Sequence, residues 1–170
     1  MNHLITTDEL RKLGRPIGKV QDEKLEAFIT EAEQLHIKPV IGDALFMRLL
    51  GDEAGSNEDM RLLLQGGTYN DKRNEQKSFL GLKVALSYFV YAQNLMSGDF
   101  ESTRYGTVFK HGDYSSHISS KERSDAYNNA LEVANAYLQE SVSFAKDKGL
   151  IKASGKRKYA VGGITIKRIG

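Results

Sequence analysis

The amino-acid sequence predicts a mainly α protein: a single-domain helical bundle around one buried central helix, with a C-terminal β-prone hairpin or extended tail. Three observations lead to this fold class. Residues 76–96 are apolar in almost every direction around a helix, which is typical of a helix buried among others. Amphipathic stretches flank this segment on both sides. Beyond residue 149 the chain becomes basic and β-branched, so we divide it into a helical domain, 1–149, and a tail, 150–170.

The central helix gives the strongest of these signals. Its first apolar stripe recurs at the three- and four-residue steps of one helix face, at Ala85, Phe89, Ala92 and Met96. Other apolar residues fill the remaining directions: Leu82, Val84, Tyr88, Val90, Tyr91 and Leu95. Lys83, Gln93 and Asn94 interrupt the segment, which is therefore too polar for a membrane span, and we expect no membrane partner. Gly98 predicts the end of this helix.

Two helices are predicted at the start of the chain. The first covers residues 4–14, where Thr6 and Glu9 have the spacing of a capping box. The second, over residues 22–36, is amphipathic. Its apolar stripe consists of Leu25, Phe28, Ile29, Ala32 and Leu35. Pro39 cannot continue a helix that reaches it from the N-terminal side, so we expect this helix to end before the proline.

Two shorter helices are predicted next. Asp43 is a suitable cap for a helix over residues 44–50. Residues 51–57 are polar and loop-like, and a side chain at 56–57 can cap the following helix, which a pair of glycines ends. Residues 69–74 then form a polar approach to the central helix.

The longest irregular stretch of the sequence follows the central helix. It covers residues 99–119 and contains an extended-looking segment at 107–109. A loop of this length in a compact domain is usually functional or mobile. Ser119 and Glu122 have capping-box spacing, so we expect the last long helix to begin there and to run to about Lys148.

Charge divides the chain in the same way as its composition. The net charge is +2, yet residues 149–170 contain six basic and no acidic side chains. The remaining 18 Lys and Arg residues face 22 acidic residues, so the body carries about −4. Such an asymmetry indicates a tail that meets a partner. The chain contains no cysteine, which excludes disulfides and thiol nucleophiles.

The tail is the predicted site of interaction. Its candidate docking residues are Lys156, Arg157, Lys158, Tyr159, Val161, Ile164, Ile166 and Arg168. A solvated basic tail is the simplest interpretation, and contact with nucleic-acid phosphate, with Tyr159 stacking on a base, is a second. The alternating pattern of Ile164, Thr165 and Ile166 favours a third, the addition of a strand to a protein neighbour.

Metal and catalytic sites are weakly indicated. Glu33 and His36 have the Glu-x-x-His spacing of helical di-iron sites, but those sites need a second such motif and further carboxylates, so we expect a solvated helix end. His111, Asp113 and His117 share one loop, but their spacing matches no metal motif, and an ordinary polar loop is expected. The sequence also has no Gly-x-Ser-x-Gly nucleophile elbow, and we predict no catalytic, metal or cofactor-binding residues.

Three stretches of the chain carry a resemblance to a known family. A long first helix closes in a Pro-x-x-Gly turn and a short Asp-x-Leu helix follows, at residues 39–45. The second stretch is 79–89, at the central helix, and the third is 103–108, in the long loop. In this order they resemble the head–tail connector proteins of tailed bacteriophages, which are also called head-completion or neck adaptor proteins. The basic tail has no counterpart in this resemblance.

The resemblance implies a virion structural protein without cofactor or catalysis. Such a protein is made in the cytoplasm of the bacterial host and assembles into a ring in the virion neck, between the portal protein and the tail or stopper proteins. DNA passes through the ring and is contacted non-specifically at most. The alternative from the residues alone is a small helical nucleic-acid-binding protein that uses the basic C-terminal tail.

Overall fold

The computed structural model describes residues 2–18, 20–51, 53–97, 100–103, 106–109 and 119–151. Their fold is mainly α, as predicted, and two small antiparallel hairpins accompany the helices. The elements in chain order are α1 (Thr7–Lys12), α2 (Asp22–Ala32), a π-helical turn (Glu33–Ile37), α3 (Lys38–Ile41), α4 (Asp43–Leu50), α5 (Glu53–Ser56), α6 (Glu58–Gln65), β1 (Gly67–Asn70), β2 (Gln76–Phe79), α7 (Leu82–Ser97), β3 (Phe100–Thr103), β4 (Gly106–Phe109) and α8 (Ser120–Asp147). None of these described helices is long and apolar enough to cross a membrane.

Helix α7 is the predicted central helix, and its burial is confirmed. It packs along α8 and also contacts α2 and α6. Its buried apolar residues are Leu82, Ala85, Leu86, Phe89, Val90 and Ala92. The prediction was wrong at Met96, which is 44% exposed because the helix leaves the core near its C-terminal end.

The predicted start of the central helix was also wrong, because residues 76–79 form strand β2. β2 pairs with β1 in an antiparallel hairpin, with Thr68 opposite Ser78 and Tyr69 opposite Lys77. Gly81 has φ +84, a left-handed conformation in which a right-handed helix cannot continue, so α7 can begin only after it. The polar approach predicted over 69–74 is therefore part of β1 and the hairpin turn.

The first long helix continues past its predicted end. α2 passes into a π-helical turn, in which Lys38 N donates to Glu33 O. The hydrogen-bond pattern returns to α-helical spacing after Pro39, which has no N–H to place at this junction. The helix finally ends at Gly42, which has φ +85. The predicted burial of Leu35 was wrong: the π-helical turn shifts the apolar stripe, and this side chain is 60% exposed.

Three other differences concern short elements. α5 occupies part of the predicted loop 51–57, and Gly42 rather than Asp43 is the N-cap of α4. β3 and β4 form a second hairpin within the predicted irregular stretch, and the extended segment expected at 107–109 lies in β4. Short helices and strands leave only a few residues of sequence pattern, so a prediction from the sequence easily misses them.

The predicted capping boxes are both present. In the first, Glu9 N donates to Thr6 Oγ1 at 3.2 Å and Thr6 N donates to Glu9 Oε2 at 3.1 Å. In the second, Ser119 N donates to Glu122 Oε2 at 2.8 Å. Asn57 caps α6 by accepting a hydrogen bond from Met60 N. These bonds satisfy backbone amides that would otherwise lack partners at the helix starts.

Candidate assembly surface

The predicted docking residues of the tail, 156–168, lie outside the described residues, but the structure fixes the point where the tail begins. α8 is closed by Gly149, and Leu150 N donates to Ala145 O at 2.8 Å, a bond of the Schellman type. Leu150 and Ile151 then pack against the core. The tail therefore starts from an anchored position at the C-terminal end of α8.

The β1–β2 hairpin packs against the same end of α8. The rings of Phe79 and Phe144 are stacked at 4.6 Å, and the ring of Tyr69 meets that of Phe144 edge-on at 4.8 Å. Tyr69 Oη donates a hydrogen bond to Asp147 Oδ2 at 3.3 Å. Burial raises the pKa of Tyr69, and the negative charge of Asp147 adds to this shift. These contacts place the hairpin beside the last turn of α8, which leads into the tail.

The hairpin turn is organised by one carboxylate. Asp71 accepts hydrogen bonds from Arg73 N at 2.8 Å and from Glu75 N at 2.9 Å. Lys77 Nζ lies 2.7 Å from the other oxygen of the same carboxylate. The bond from Lys77 and then those from the backbone lower the pKa of Asp71 to about 2. The carboxylate therefore stays ionised at neutral pH and holds the turn.

The outer edge of β2 carries free backbone groups. Asp71 N donates to Glu75 O, so in the alternating pattern of an antiparallel pair the next residues bonded to each other are Tyr69 and Lys77. The N–H and C=O groups of Gln76 and Ser78 therefore point away from β1. Their side chains are exposed, whereas Tyr69 on the opposite face is buried. The hairpin thus has one apolar face, one polar face and an accessible edge.

A groove lies between the α2–α3 helix and α4 and is a second surface feature. Its volume is about 530 Å³. Phe46, Met47 and Leu50 line one side, and Met47 is 63% exposed. Lys38 lies on the other side, where its ammonium is 3.0 Å from Asp43. Exposed apolar side chains of this kind are common at protein contacts, but they do not identify a partner.

Glu33 anchors the N-terminal segment beside this groove. Its carboxylate is buried and accepts a hydrogen bond from Leu4 N at 2.6 Å, and His3 Nδ1 lies 3.0 Å from the other oxygen. Leu4 and Ile5 are consequently held in the core. The solvated helix end predicted for Glu33 and His36 was therefore wrong, because the π-helical turn directs the carboxylate inward.

Substitution of Glu33 tests this anchor. We expect Glu33→Ala to lower the free energy of unfolding by about 2 kcal/mol, because Leu4 N loses its acceptor while it remains buried. Glu26→Ala, at an exposed position of the same helix, is the control and should change stability by less than about 0.5 kcal/mol. Urea unfolding measures both values. Equal effects of the two substitutions would show that the anchor adds nothing to stability.

His36 stacks on a core residue instead of facing solvent. Its ring lies parallel to that of Phe89, with centroids 4.2 Å apart and an interplanar angle of 2°. Burial lowers the pKa of His36, and the charge of Glu31 opposes part of this effect. The neutral imidazole is thus the form that suits the folded protein.

This shift predicts a pH dependence of stability. The folded-state pKa of His36 lies below its unfolded value, so protons bind more readily to the unfolded chain, and stability falls as pH decreases through about 6.5. The urea concentration at the unfolding midpoint should therefore decrease when the pH is lowered from 7.5 to 5.5. The decrease should be smaller in His36→Phe. His3 remains in both proteins and cancels in the comparison. An identical pH dependence would remove His36 as its cause.

A pocket of about 560 Å³ lies near the C-terminal end of α7. Phe28, Met96 and Tyr127 supply apolar lining. Gln93 and Ser97 also line it, and their side-chain atoms Oε1 and Oγ are buried without a hydrogen-bond partner in the part of the chain that the structure describes. Space for water is sufficient in a cavity of this size, and an ordered water can satisfy both atoms. Nothing in this arrangement identifies a larger ligand.

Metal ligands are not grouped in the described part of the chain. No three His, Cys, Asp or Glu side chains come together there in a way that could hold a metal ion. Glu33 and His36 take part in the separate contacts given above. His111, Asp113 and His117 lie outside the described residues, so the prediction of an ordinary polar loop stays a prediction.

The described residues form a mainly α domain. Its β1–β2 hairpin has an unpaired edge and lies next to the C-terminal end of α8, where the tail begins. The chain belongs to DUF6712, a family of unknown function, whose model matches residues 37–160. The match extends from the end of the π-helical turn through α8 and into the tail. No curated protein and no solved structure matches the chain significantly.

Proposed function

We propose that this protein is a virion structural protein of a tailed bacteriophage, a head–tail connector that forms a ring in the neck between the portal protein and the tail or stopper proteins. DNA would pass through the ring without specific contact. One observation carries the proposal: the three stretches that resemble connector proteins each begin and end, in order, in helices or strands of the described structure. All three also lie within the family match at residues 37–160.

The first stretch, 39–45, has the local structure that the resemblance requires. The long helix of α2, the π-helical turn and α3 closes after Pro39 at Gly42. The short helix α4 follows immediately and contributes Leu45, Phe46 and Leu49 to the core. This agreement supports the proposal because the resemblance includes a long helix that closes after a proline, with a short helix next. The proline is accommodated inside the long helix by the π-helical turn.

The other two stretches also fall at defined junctions. Residues 79–89 run from the end of β2 through Gly81 into the buried half of α7. Thr103 ends β3 and residues 106–108 lie in β4, and these two strands pair as a hairpin. The resemblance to connector proteins therefore covers parts of the chain that set the positions of its helices.

Charge is consistent with a conduit for DNA. The body, with about −4, would repel the phosphate backbone, and the six basic residues from Lys152 to Arg168 all lie in the tail. The basic, β-prone tail binds a neighbouring protein instead of DNA, which agrees with the alternating pattern of its isoleucines.

The test combines composition and imaging. Mass spectrometry of purified virions should detect the protein, and electron microscopy of necks should show a ring into which its structure fits. Absence of the protein from virions would reject the proposal. Monomers of the purified protein are compatible with it, because assembly can require the portal as template.

The alternative function is nucleic-acid binding by the basic tail, which the run Lys156-Arg157-Lys158-Tyr159 favours. It predicts an affinity for DNA that falls steeply between 50 and 200 mM salt, by about 10³-fold or more if six phosphates are neutralised. Deletion of residues 152–170 should then abolish binding. Weak binding that the deletion leaves unchanged would eliminate this alternative and agree with a connector.

A further inference from the structure

The outer edge of β2 is an unpaired edge strand. Within the described residues, no hydrogen bond reaches the outward backbone groups of Gln76 and Ser78. The outward backbone groups of Thr68 and Asn70 on β1 form the other edge of the hairpin, which serves as the control in the experiment. Native proteins usually cover an accessible edge, because it is a template for another strand.

The position and length of the tail determine which strand could cover this edge. The described chain ends at Ile151, and nine residues, 152–160, separate it from the β-prone segment 161–169. Fully extended, these nine residues span at most about 30 Å. The hairpin of the same chain is much closer, since Tyr69 Oη contacts Asp147 Oδ2 at 3.3 Å. A spacer of this length allows the segment to reach a neighbouring copy, and contact with the hairpin of its own chain is the alternative that the cross-linking experiment separates.

The residue pattern of the tail also fits a third strand. Ile164 and Ile166 would lie on one face, and Thr165 and Lys167 on the other. The hairpin has the same division: its buried face contacts Phe144, and its exposed face carries small polar side chains. Because β2 has four residues, a strand added beside it would extend both faces with residues 164–167. Arg168, which follows on the face of the isoleucines, would then lie beyond the end of the pairing.

We propose that residues 161–169 of one copy add as a strand to the outer edge of β2 in a neighbouring copy. This inference rests on the proposed ring, and it assigns the contact that links adjacent protomers. The contact is heterologous, because the tail of one copy meets the hairpin of the next, and such contacts close into rings when the rotation between copies permits. Main-chain hydrogen bonds would supply affinity, and the alternating isoleucines would set the register.

Disulfide trapping between full-length chains tests the contact. The protein has no cysteine, so each introduced thiol is unique. Ser78→Cys and Thr165→Cys are placed in separate chains, mixed and oxidised. Thr68→Cys is the matched control, because Thr68 lies directly opposite Ser78 on the other edge of the hairpin. Two neighbouring paired strands bring their Cβ atoms close enough for a disulfide. Thr68 would be too far from the added strand, because β2 lies between them.

We expect a cross-linked dimer from the Ser78→Cys and Thr165→Cys mixture in several-fold higher yield than from the Thr68→Cys control mixture. Ser78→Pro in an otherwise full-length chain should reduce self-association, and Thr68→Pro should not, with circular dichroism confirming that both variants are folded. Equal yields from the two mixtures would overturn the inference. In a chain that carries both cysteines, cross-links confined to that single chain would also overturn the inference. Cross-links between two tails would do the same.

Electron microscopy of the same mixtures separates this inference from the proposed function. Rings without a Ser78–Thr165 cross-link would overturn strand addition and leave the connector proposal standing. A cross-link with open chains in place of rings, together with absence of the protein from virions, would support strand addition and reject the connector.

Discussion

Replacement of Gly81 by alanine is expected to lower the free energy of unfolding by about 4 kcal/mol, combining backbone strain with overpacking. Gly81 has φ +84, which an alanine adopts only with strain. A Cβ at this position would also lie 2.6 Å from both Leu64 O and Gln65 C and would collide with Gly66 N. These are backbone atoms, so no side-chain rotation can relieve the contact.

Two other glycines separate the contributions. Gly42 has φ +85 and ψ 154 but, among the described residues, nothing within 4 Å of its Cβ position, so Gly42→Ala should show the strain alone, about 2 kcal/mol. Gly18 lies in open space without a positive φ, and Gly18→Ala should be neutral or slightly stabilising. Thermal unfolding orders the three variants, and Gly81→Ala should lower Tm by about 10 °C. Similar losses for Gly81→Ala and Gly42→Ala would contradict a role for the backbone contact.

The contact between Gly66 and Gly81 matters because it sets the position of the hairpin. A Cβ on Gly66 would lie 2.6 Å from both Phe79 O and Leu80 O, so the two ends of the hairpin cross at backbone distance. This crossing joins α6, the hairpin and α7 without an intervening side chain. Loosening it should displace the outer edge of β2 as well as destabilise the protein.

The helical part of the fold could be predicted because its signals are local. Thr6 and Glu9 are three residues apart, and so are Ser119 and Glu122, and each pair forms the expected capping box. The burial of α7 follows from an apolar segment that has no polar face to turn towards water. Such signals require only a few neighbouring residues.

The hairpin and the π-helical turn could not be predicted because they depend on distant partners. Residues 76–79 have no strong strand pattern, and β2 is stabilised by Phe144, far along the chain. The π-helical turn places Glu33 against Leu4 and His36 against Phe89, contacts that the spacing of residues does not contain. In both cases tertiary packing overrides the local preference.

For the candidate site, composition predicts an interacting tail but does not predict the edge of β2 that we propose as its counterpart. The six basic residues and the alternating isoleucines can be seen in the sequence. The edge of β2 cannot, because Gln76 and Ser78 were predicted at the start of a helix. One usable signal was present: Gly66-Gly67 and Gly81 bracket a segment with the polar run 70–74 at its centre, which is a pattern of a hairpin with its turn.

Replacement of Phe144 by alanine should have an effect of similar size and should release the hairpin from α8. Phe144 is fully buried and contacts the rings of both Phe79 and Tyr69. Removing the ring leaves a cavity and is expected to cost about 3–5 kcal/mol in the free energy of unfolding. Urea unfolding measures the loss. Phe28→Ala is the matched control, and it should cost less because Phe28 is only half-buried.

Hydrogen exchange then distinguishes a local effect from a general one. In Phe144→Ala the amides of Tyr69 and Lys77, which bond across the hairpin, should lose protection beyond the global loss, since the hairpin has little other apolar support. In Phe28→Ala those amides should follow global stability. Phe144→Leu should restore part of both stability and protection, because it refills most of the cavity. Equal protection of the hairpin in Phe144→Ala and Phe28→Ala would mean that α8 does not hold the hairpin in place, and a fixed edge for strand addition would then need another support.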